Sequence, residues 1–193
     1  MKKKEFLRLV QVIFLIAGIV LLFGSTNWFP DYYRPRVMAF GSFFFIFLIE
    51  LPALIWRDDQ NSAEKILARL NLQIVLAGGL FFSSLGSLGL WGLYKRGIPY
   101  DKFVHFGFPL ALAIVGISFF QSQFGMSLKK ATLRVLLIIV LSSVAWEILE
   151  SIFARFFHIG FFGTLFDRDS ILDMVSNLAG AGLGVLIKIK NKK

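Results

Sequence analysis

Residues 133–156 read LRVLLIIVLSSVAWEILESIFARF, and this run of mainly apolar side chains decides the class of fold. A helix needs about 17–25 such residues to cross a bilayer. Comparable runs occupy residues 6–24, 37–56, 70–93, 103–123 and 171–188. The 193 residues are 56% hydrophobic and only 17% charged, against roughly one quarter charged in soluble domains. The sequence therefore predicts an all-α polytopic membrane protein with about six transmembrane helices, forming a single membrane domain over residues 1–193.

The basic residues are distributed unevenly between the two sides of the predicted membrane. With the N-terminus placed inside, 14 of the 21 Lys and Arg residues fall on the inner side: Lys2, Lys3, Lys4, Arg8, Arg57, Lys65, Arg69, Lys129, Lys130, Arg134, Lys188, Lys190, Lys192 and Lys193. The outer side carries the remaining 7 of 21: Arg34, Arg36, Lys95, Arg96, Lys102, Arg155 and Arg168. Because cytoplasmic loops are enriched in Lys and Arg, both termini are predicted to be cytoplasmic. The first apolar run lacks a good small-x-small cleavage site at residues 24–26, so we expect it to remain as the first span.

The net charge of +9 and the absence of cysteine limit which partners and which metal sites are expected. In a soluble protein such a charge would favour nucleic acid, but here the basic residues lie where membrane insertion puts them. We therefore expect a lipid bilayer, and no nucleic acid, as the partner. Without cysteine the chain has no disulfide and no thiolate metal site. The oligomeric state does not follow from these residues.

Acidic side chains recur within or at the ends of the apolar runs, where each ionised group costs at least a few kcal/mol. Five of the twelve acidic residues are placed in this way: Asp101, Glu147, Glu150, Asp169 and Asp173. The predicted topology brings them, together with His105 and Asn177, to the outer third of the membrane on three helices. Spacings of three or four residues place members of this set on shared helix faces, as in Asp169, Asp173 and Asn177. We therefore predict a site at this depth.

Several of these residues also have simpler structural explanations. Asp169 precedes an apolar run and Asp101 opens the fourth span, so each is a candidate N-cap of its helix. His105 alone would usually be a hydrogen-bonded packing residue. Glu147 is harder to explain in this way, because it follows Trp146 inside a helix and would have to be either neutral or paired.

Two further features are assigned to structure. Ser176, Gly180 and Gly184 form a small-x-x-x-small stripe beside the Asp173 face, and such a stripe permits backbone contact with another helix. Tight packing along it would hold the neighbouring polar residues rigidly. Glu50 lies near the cytoplasmic end of the second span, so we expect it at the membrane interface.

Three motifs in the second half of the chain resemble a known family. They are Tyr100-Asp101-Lys102-Phe103-Val104-His105-Phe106, the acidic pair of Trp146-Glu147-Ile148-Leu149-Glu150, and Asp167-Arg168-Asp169-Ser170-Ile171-Leu172-Asp173 continuing through Asn177 to Ala181. Over about residues 95–185 they resemble the signature regions of VanZ-like and YjdF-like bacterial membrane proteins, and the Glu-x-x-Glu spacing is the YjdF-like form. The resemblance implies a multi-pass protein of the bacterial cytoplasmic (inner) membrane with a role in the cell envelope. It implies no established reaction.

The predicted site favours the handling of an envelope lipid, or of a lipid-linked phosphate or glycan head group. A hard divalent cation, Mg²⁺, Ca²⁺ or Mn²⁺, suits an oxygen-rich ligand set. The predicted metal ligands are Asp101, His105, Glu147, Glu150 and Asp173. Such a metal would hold the phosphate or activate water for its hydrolysis, and the candidate catalytic residues are Glu147, Asp173 and His105. The candidates for binding the substrate or an ion are Asp101, Glu150, Asp169, Asn177 and Arg168.

Two other classes of function remain open. A proton- or cation-coupled transporter would use the same carboxylates, but it would need polar groups continuing to the inner side, where the sequence has few. A structural or partner-binding protein would use the polar residues only to set helix register. Basic residues near the outer surface would either attract anionic head groups or anchor the helices at the interface. These residues are Lys95, Arg96, Lys102 and Arg168.

Overall fold

A computed structural model of the protein describes residues 2–29, 34–56, 62–87, 90, 93, 96–158 and 167–191. The regular structure of these residues is helical, and six α-helices are long and apolar enough to cross a membrane. They are α1 Lys3–Phe23, α2 Pro35–Ile55, α3 Ala63–Ser87, α4 Tyr100–Phe124, α5 Leu128–Phe157 and α6 Arg168–Lys190. A short 3₁₀ turn, Thr26–Trp28, follows α1. The predicted all-α polytopic architecture with about six spans is confirmed, and the orientation of the bundle stays a prediction.

The helices agree with the predicted spans except at their ends. The third helix differs most, since it was predicted at residues 70–93 and is found at Ala63–Ser87. Its first turns carry Lys65 and Arg69. The apolar run therefore begins at residue 70, although the backbone is helical from Ala63. Residues 88, 89, 91 and 92 of the predicted span lie outside the described residues, as does Lys95.

The first turns of α4 and α6 differ from the prediction in how they are capped. The N-cap of α6 is Asp167, whose Oδ1 accepts a hydrogen bond from the backbone N–H of Ser170 at 2.8 Å. Asp169 therefore lies inside the first turn of α6. The fourth helix begins one residue before Asp101 and has no side-chain cap, so Asp101 is also a first-turn residue. Both capping predictions are wrong, and both carboxylates are available for contacts between helices.

The helices pack as two groups that meet between α3 and α4. In the first group, α1, α2 and α3 enclose a core of Leu7, Val10, Phe14, Ile49 and Ala77. In the second group, α4 packs against α5 and most extensively against α6, around Ala113, Ile117, Ala131, Val135, Ile139 and Ala181. Many large apolar side chains remain exposed along the helices, which is expected of surfaces that face lipid.

Two glycines of α6 allow it to approach α4 closely. A Cβ atom on Gly180 would meet the backbone carbonyl of Phe106, and one on Gly184 would meet that of Leu110. Gly182 has open space in the same position. We call this contact the α4–α6 seam, and its glycines belong to the predicted small-residue stripe. Both helices begin at the end of the bundle that is predicted to face outward, which we call the outer end, so their first turns lie side by side.

Candidate functional site

The ammonium group of Lys102 lies at the centre of the polar residues at the outer end. Its Nζ is 2.7 Å from Oδ2 of Asp101, 2.6 Å from Oδ1 of Asp169 and 2.6 Å from Oδ1 of Asp173. These are short, charge-assisted hydrogen bonds. An ammonium group has three N–H donors, so three carboxylates from two helices use all of them.

The α4–α6 seam explains why these carboxylates converge. Asp101 and Lys102 lie in the first turn of α4, whereas Asp169 and Asp173 are one turn apart on a single face of α6. Because the seam holds the two helices together further down, these faces are opposed at the outer end. We call the whole polar group the outer cluster: Asp101, Lys102, His105, Glu147, Glu150, Asp169, Ser170, Asp173 and Asn177.

His105 lies one turn below Asp101 on the same face of α4. Its Nε2 is 3.6 Å from Oδ1 of Asp101 and 3.8 Å from Oδ1 of Asp173, which is longer than a hydrogen bond. The buried side chain of Asn177 is within hydrogen-bonding reach of the imidazole. The imidazole is therefore held beside two carboxylates without a hydrogen bond to either of them.

Glu147 is the most buried carboxyl group of the outer cluster. It is 2% exposed, and its Oε2 accepts a hydrogen bond from the hydroxyl of Ser170 at 2.5 Å. Its other oxygen, Oε1, is buried and has no hydrogen-bond partner among the described residues. A buried polar atom without a partner costs about 1–3 kcal/mol, so this oxygen is suited to receive a proton, a water or a ligand.

Glu150 lies one turn further along α5 and is hydrogen-bonded to a side chain of the same helix. Its Oε1 accepts a hydrogen bond from the indole N–H of Trp146 at 2.6 Å. It lies within electrostatic range of Glu147, Asp173 and Asp101. The acidic pair of α5 thus faces the carboxylates of α4 and α6, and the outer cluster draws on three helices.

The exposed fraction of the side chains decreases from the outer end of the outer cluster inward. The exposed fraction of the side chain is 60% for Asp169, 23% for Asp101, 19% for Lys102 and 6% for Asp173. Glu147 is deeper still, at 2%. Beneath these residues α4, α5 and α6 meet in their apolar core and along the glycine seam. Within the described residues the outer cluster is therefore a polar group that becomes less exposed from the outer end inward and rests on apolar packing.

Three residues of the outer cluster have the geometry of a metal-binding group. Asp101, His105 and Asp173 each present one ligand atom, and these atoms lie within 4.8 Å of one another. They are among the five metal ligands predicted from the sequence, whereas the two glutamates are engaged by the hydroxyl and indole donors described above. The Lys102 ammonium lies among the same carboxylates, so a divalent cation would have to replace it. A metal at this site stays a prediction.

The donors that organise the outer cluster were not predicted from the sequence, namely Lys102, Ser170 and Trp146. Lys102 was predicted only to meet head groups or the interface. A signal for its role was present, because Lys102 lies next to Asp101 and immediately before an apolar span, and a lysine there needs carboxylate partners if it does not face water. Arg168, predicted to bind substrate or an ion, is the exposed first residue of α6, and Arg96 is exposed as well.

Comparison with known proteins bears on the family and not on the site. A family model described as "Predicted membrane protein (DUF2238)" matches residues 6–192, nearly the whole chain. No curated protein and no solved structure matches the chain. The family match supports a multi-pass membrane protein, and the VanZ-like and YjdF-like resemblance continues to rest on the three motifs.

Proposed function

Since this chain belongs to the family of predicted membrane proteins DUF2238 and so sits in a lipid bilayer, we propose that its outer cluster binds a lipid head group. The head group would be that of an envelope lipid, or a lipid-linked phosphate or glycan, held through a divalent cation. The membrane would be the bacterial cytoplasmic membrane, with the outer cluster facing outward. The motif resemblance and the predicted orientation support the assignment to the envelope.

The observation that carries this proposal is the gradient of exposure across the outer cluster, which ends at an apolar core. Polar side chains grade from Asp169, which is 60% exposed, to Asp173 at 6%, and an apolar core lies beneath them. Polar side chains at one surface with apolar packing beneath them suit a group that approaches from that surface and is held there. A transport pathway would instead need polar groups or water continuing to the other side.

The charge of the outer cluster explains the need for a cation. A phosphate would be repelled by the carboxylates of Asp101, Asp169 and Asp173, since like charges at close range in a poorly solvated site repel strongly. A hard divalent cation binds carboxylate, imidazole and phosphate ligands together. Once displaced from its three carboxylates, Lys102 would be a suitable second contact for the phosphate.

A structural role is favoured by one observation, the complete satisfaction of Lys102. All three of its donors are used by carboxylates of this chain, which is what a cluster that only sets helix register would show. The unpartnered Oε1 of Glu147 is not explained by that role. The two functions differ in whether neutral replacements at the acidic positions change ligand binding or only stability.

The test uses Asp173→Asn and Glu147→Gln, which keep nearly the same shape but cannot carry the charge. The purified full-length chain is titrated with Mg²⁺, Ca²⁺ and Mn²⁺, and retained metal and lipid are measured by native mass spectrometry alongside melting in detergent. Asp173→Asn should weaken metal binding about tenfold or more, the loss typical of removing a group that supports a metal site. Glu147→Gln should melt at the same temperature or higher yet retain less metal and lipid.

Glu64→Gln is the matched control, because Glu64 is exposed in the first turn of α3 at the inner end. It should leave metal, lipid and melting unchanged. If both cluster variants retain the same ligands at the same occupancy as the unmodified chain, the proposal is wrong. Robust proton flux in liposomes, lost in Glu147→Gln, would assign the outer cluster to transport instead.

A further inference from the structure

A polar cavity lies at the inner end, between α1, α2 and α3. Its volume is about 240 Å³, whereas a single water needs only ~10–15 Å³. Its polar lining consists of Lys4, Arg8, Gln11, Glu50, Arg69 and Gln73. We call this cavity the inner pocket. It shares no residue with the outer cluster and lies at the opposite end of the bundle.

The carboxylate in the inner pocket is occupied by amide donors. Glu50 accepts a hydrogen bond from Nε2 of Gln11 on α1 and another, at 3.3 Å, from Nε2 of Gln73 on α3. Gln73 is 3% exposed and also donates to the carbonyl of Ile49 at 3.1 Å. The carboxylate of Glu50 thus accepts hydrogen bonds from two side-chain amides, and it forms no ion pair with a basic residue among the described residues. Among the described residues that line the inner pocket, three basic groups stand against one acid, a formal net charge of +2.

Two of the basic groups are available to a ligand. Lys4 and Arg8 are exposed and lie four residues apart, on one face of the first turns of α1. Neither has a hydrogen-bond or ion-pair partner among the described residues. Arg69 forms the opposite wall, where its guanidinium donates to the carbonyl of Trp56 at 3.2 Å. The cationic groups therefore surround the opening of the inner pocket from two sides.

We propose that the inner pocket binds the phosphate ester of an anionic phospholipid head group in the inner leaflet. Arginine and lysine provide the several charge-assisted donors that phosphate oxygens need. Basic pockets between transmembrane helices on the cytoplasmic side suit anionic head groups, and the distribution of basic residues predicts that this end is cytoplasmic. Leu7 and Leu70 also line the inner pocket, so apolar surface is present for the first carbons of an acyl chain.

The test measures binding of phosphatidylglycerol to the full-length chain in phosphatidylcholine nanodiscs, by native mass spectrometry at increasing phosphatidylglycerol content. Arg8→Gln should weaken binding about fivefold, as expected for one basic residue at a lipid surface. Arg134→Gln is the matched control, because Arg134 is exposed on α5, at the same side but outside the inner pocket. It should change binding less than twofold.

Glu50→Gln gives a prediction of opposite sign. It keeps the shape of the side chain but removes the negative charge, so phosphatidylglycerol should bind about fivefold more tightly. A variant that merely loosened the contact between α1, α2 and α3 would not tighten binding. Melting in detergent shows whether each variant is folded.

The source of the phosphate is tested with inorganic phosphate in phosphatidylcholine nanodiscs. We expect millimolar inorganic phosphate to leave bound phosphatidylglycerol in place. If inorganic phosphate binds and displaces the lipid, the inner pocket takes a soluble phosphate and the lipid proposal is overturned. Equal losses in Arg8→Gln and Arg134→Gln would also overturn it, because they would indicate general attraction to a basic surface.

Discussion

In the outer cluster, carboxylates outnumber basic groups, and the Lys102 ammonium among them is bound by three carboxylate oxygens. In the inner pocket the balance is reversed, since three basic groups line it with a single acid, Glu50. That acid is bound by the amides of Gln11 and Gln73 and not by the basic groups. The outer cluster thus has an excess of acidic groups, and the inner pocket has an excess of basic groups.

The outer cluster and the inner pocket differ in whether their basic groups already have hydrogen-bond partners within the protein. The donors of Lys102 are fully used, so a ligand of the outer cluster must first displace an internal ion pair. Lys4 and Arg8 have no such partners among the described residues, so the inner pocket needs no rearrangement of that kind. We therefore expect binding at the outer cluster to be conditional on a competing cation, and binding at the inner pocket to depend mainly on charge and ionic strength.

The comparison changes if the bundle has the inverse of its predicted orientation in the membrane. The chain has no cysteine, so single thiols can be introduced at Asn27, beyond α1 at the outer end, and at Asn191, after α6 at the inner end. In intact cells Asn27→Cys should react fully with a membrane-impermeant maleimide, and Asn191→Cys should react only after permeabilisation. The reverse pattern would place the inner pocket in the outer leaflet.

Replacing Lys102 tests whether the outer cluster depends on its internal cation. Lys102→Met leaves facing carboxylates without a counter-charge. Removing one partner of a fully buried ion pair costs on the order of 3–5 kcal/mol, and the loss should be smaller here because Lys102 is part-buried and Asp169 is exposed. The melting temperature in detergent should drop, and added Ca²⁺ or Mg²⁺ should raise it more than in the unmodified chain. Lys130→Met, at the exposed start of α5, is the control and should melt almost normally. Normal melting of Lys102→Met would contradict the central role of this ammonium.

A mutation in the α4–α6 seam can show whether the outer cluster and the inner pocket function independently of each other. Gly180→Ala would push a methyl group into the backbone of Phe106, and overpacking of this kind costs about 1–3 kcal/mol. Metal retention by the outer cluster should fall, whereas phosphatidylglycerol binding at the inner pocket should be unchanged. Gly182→Ala has open space and is the control, with stability equal or slightly higher because alanine favours the helix. Equal effects of the two substitutions would show that the seam does not position the cluster.

Much of the fold could be predicted from the sequence, because a transmembrane span is a property of one continuous run of residues. The six predicted spans correspond to α1 to α6, and the largest difference in bounds lies in α3, whose first two turns carry Lys65 and Arg69 and precede the apolar run. The two N-caps were harder to predict. Asp167 and Asp169 are both suitable caps by residue type, and only the backbone path decides which carboxylate reaches the free N–H groups.

The acidic members of the candidate site, His105 and Asn177 could be predicted from the sequence, whereas Lys102 and Ser170 and the contacts between the members could not. The spacing of Asp169 and Asp173 places both on one helix face whatever the helix packs against. That Lys102 would bind both of them depends on α4 and α6 being neighbours with their first turns aligned, and residue spacing within one helix carries no information on that. The same holds for Glu147 and Ser170, which belong to different helices.

The sequence by itself determined that this protein is helical and membrane-embedded, and that acidic residues concentrate at one end of its second half. These are local properties of the sequence. The length of an apolar run and the spacing of residues along a helix do not depend on distant parts of the chain. The tertiary structure alone decided which charges meet. It placed the Lys102 ammonium among three carboxylates, left Oε1 of Glu147 without a partner among the described residues, and gathered Lys4, Arg8 and Arg69 around one cavity. The physical reason is that hydrogen bonds and ion pairs act over a few ångströms, and helix packing sets which side chains come that close.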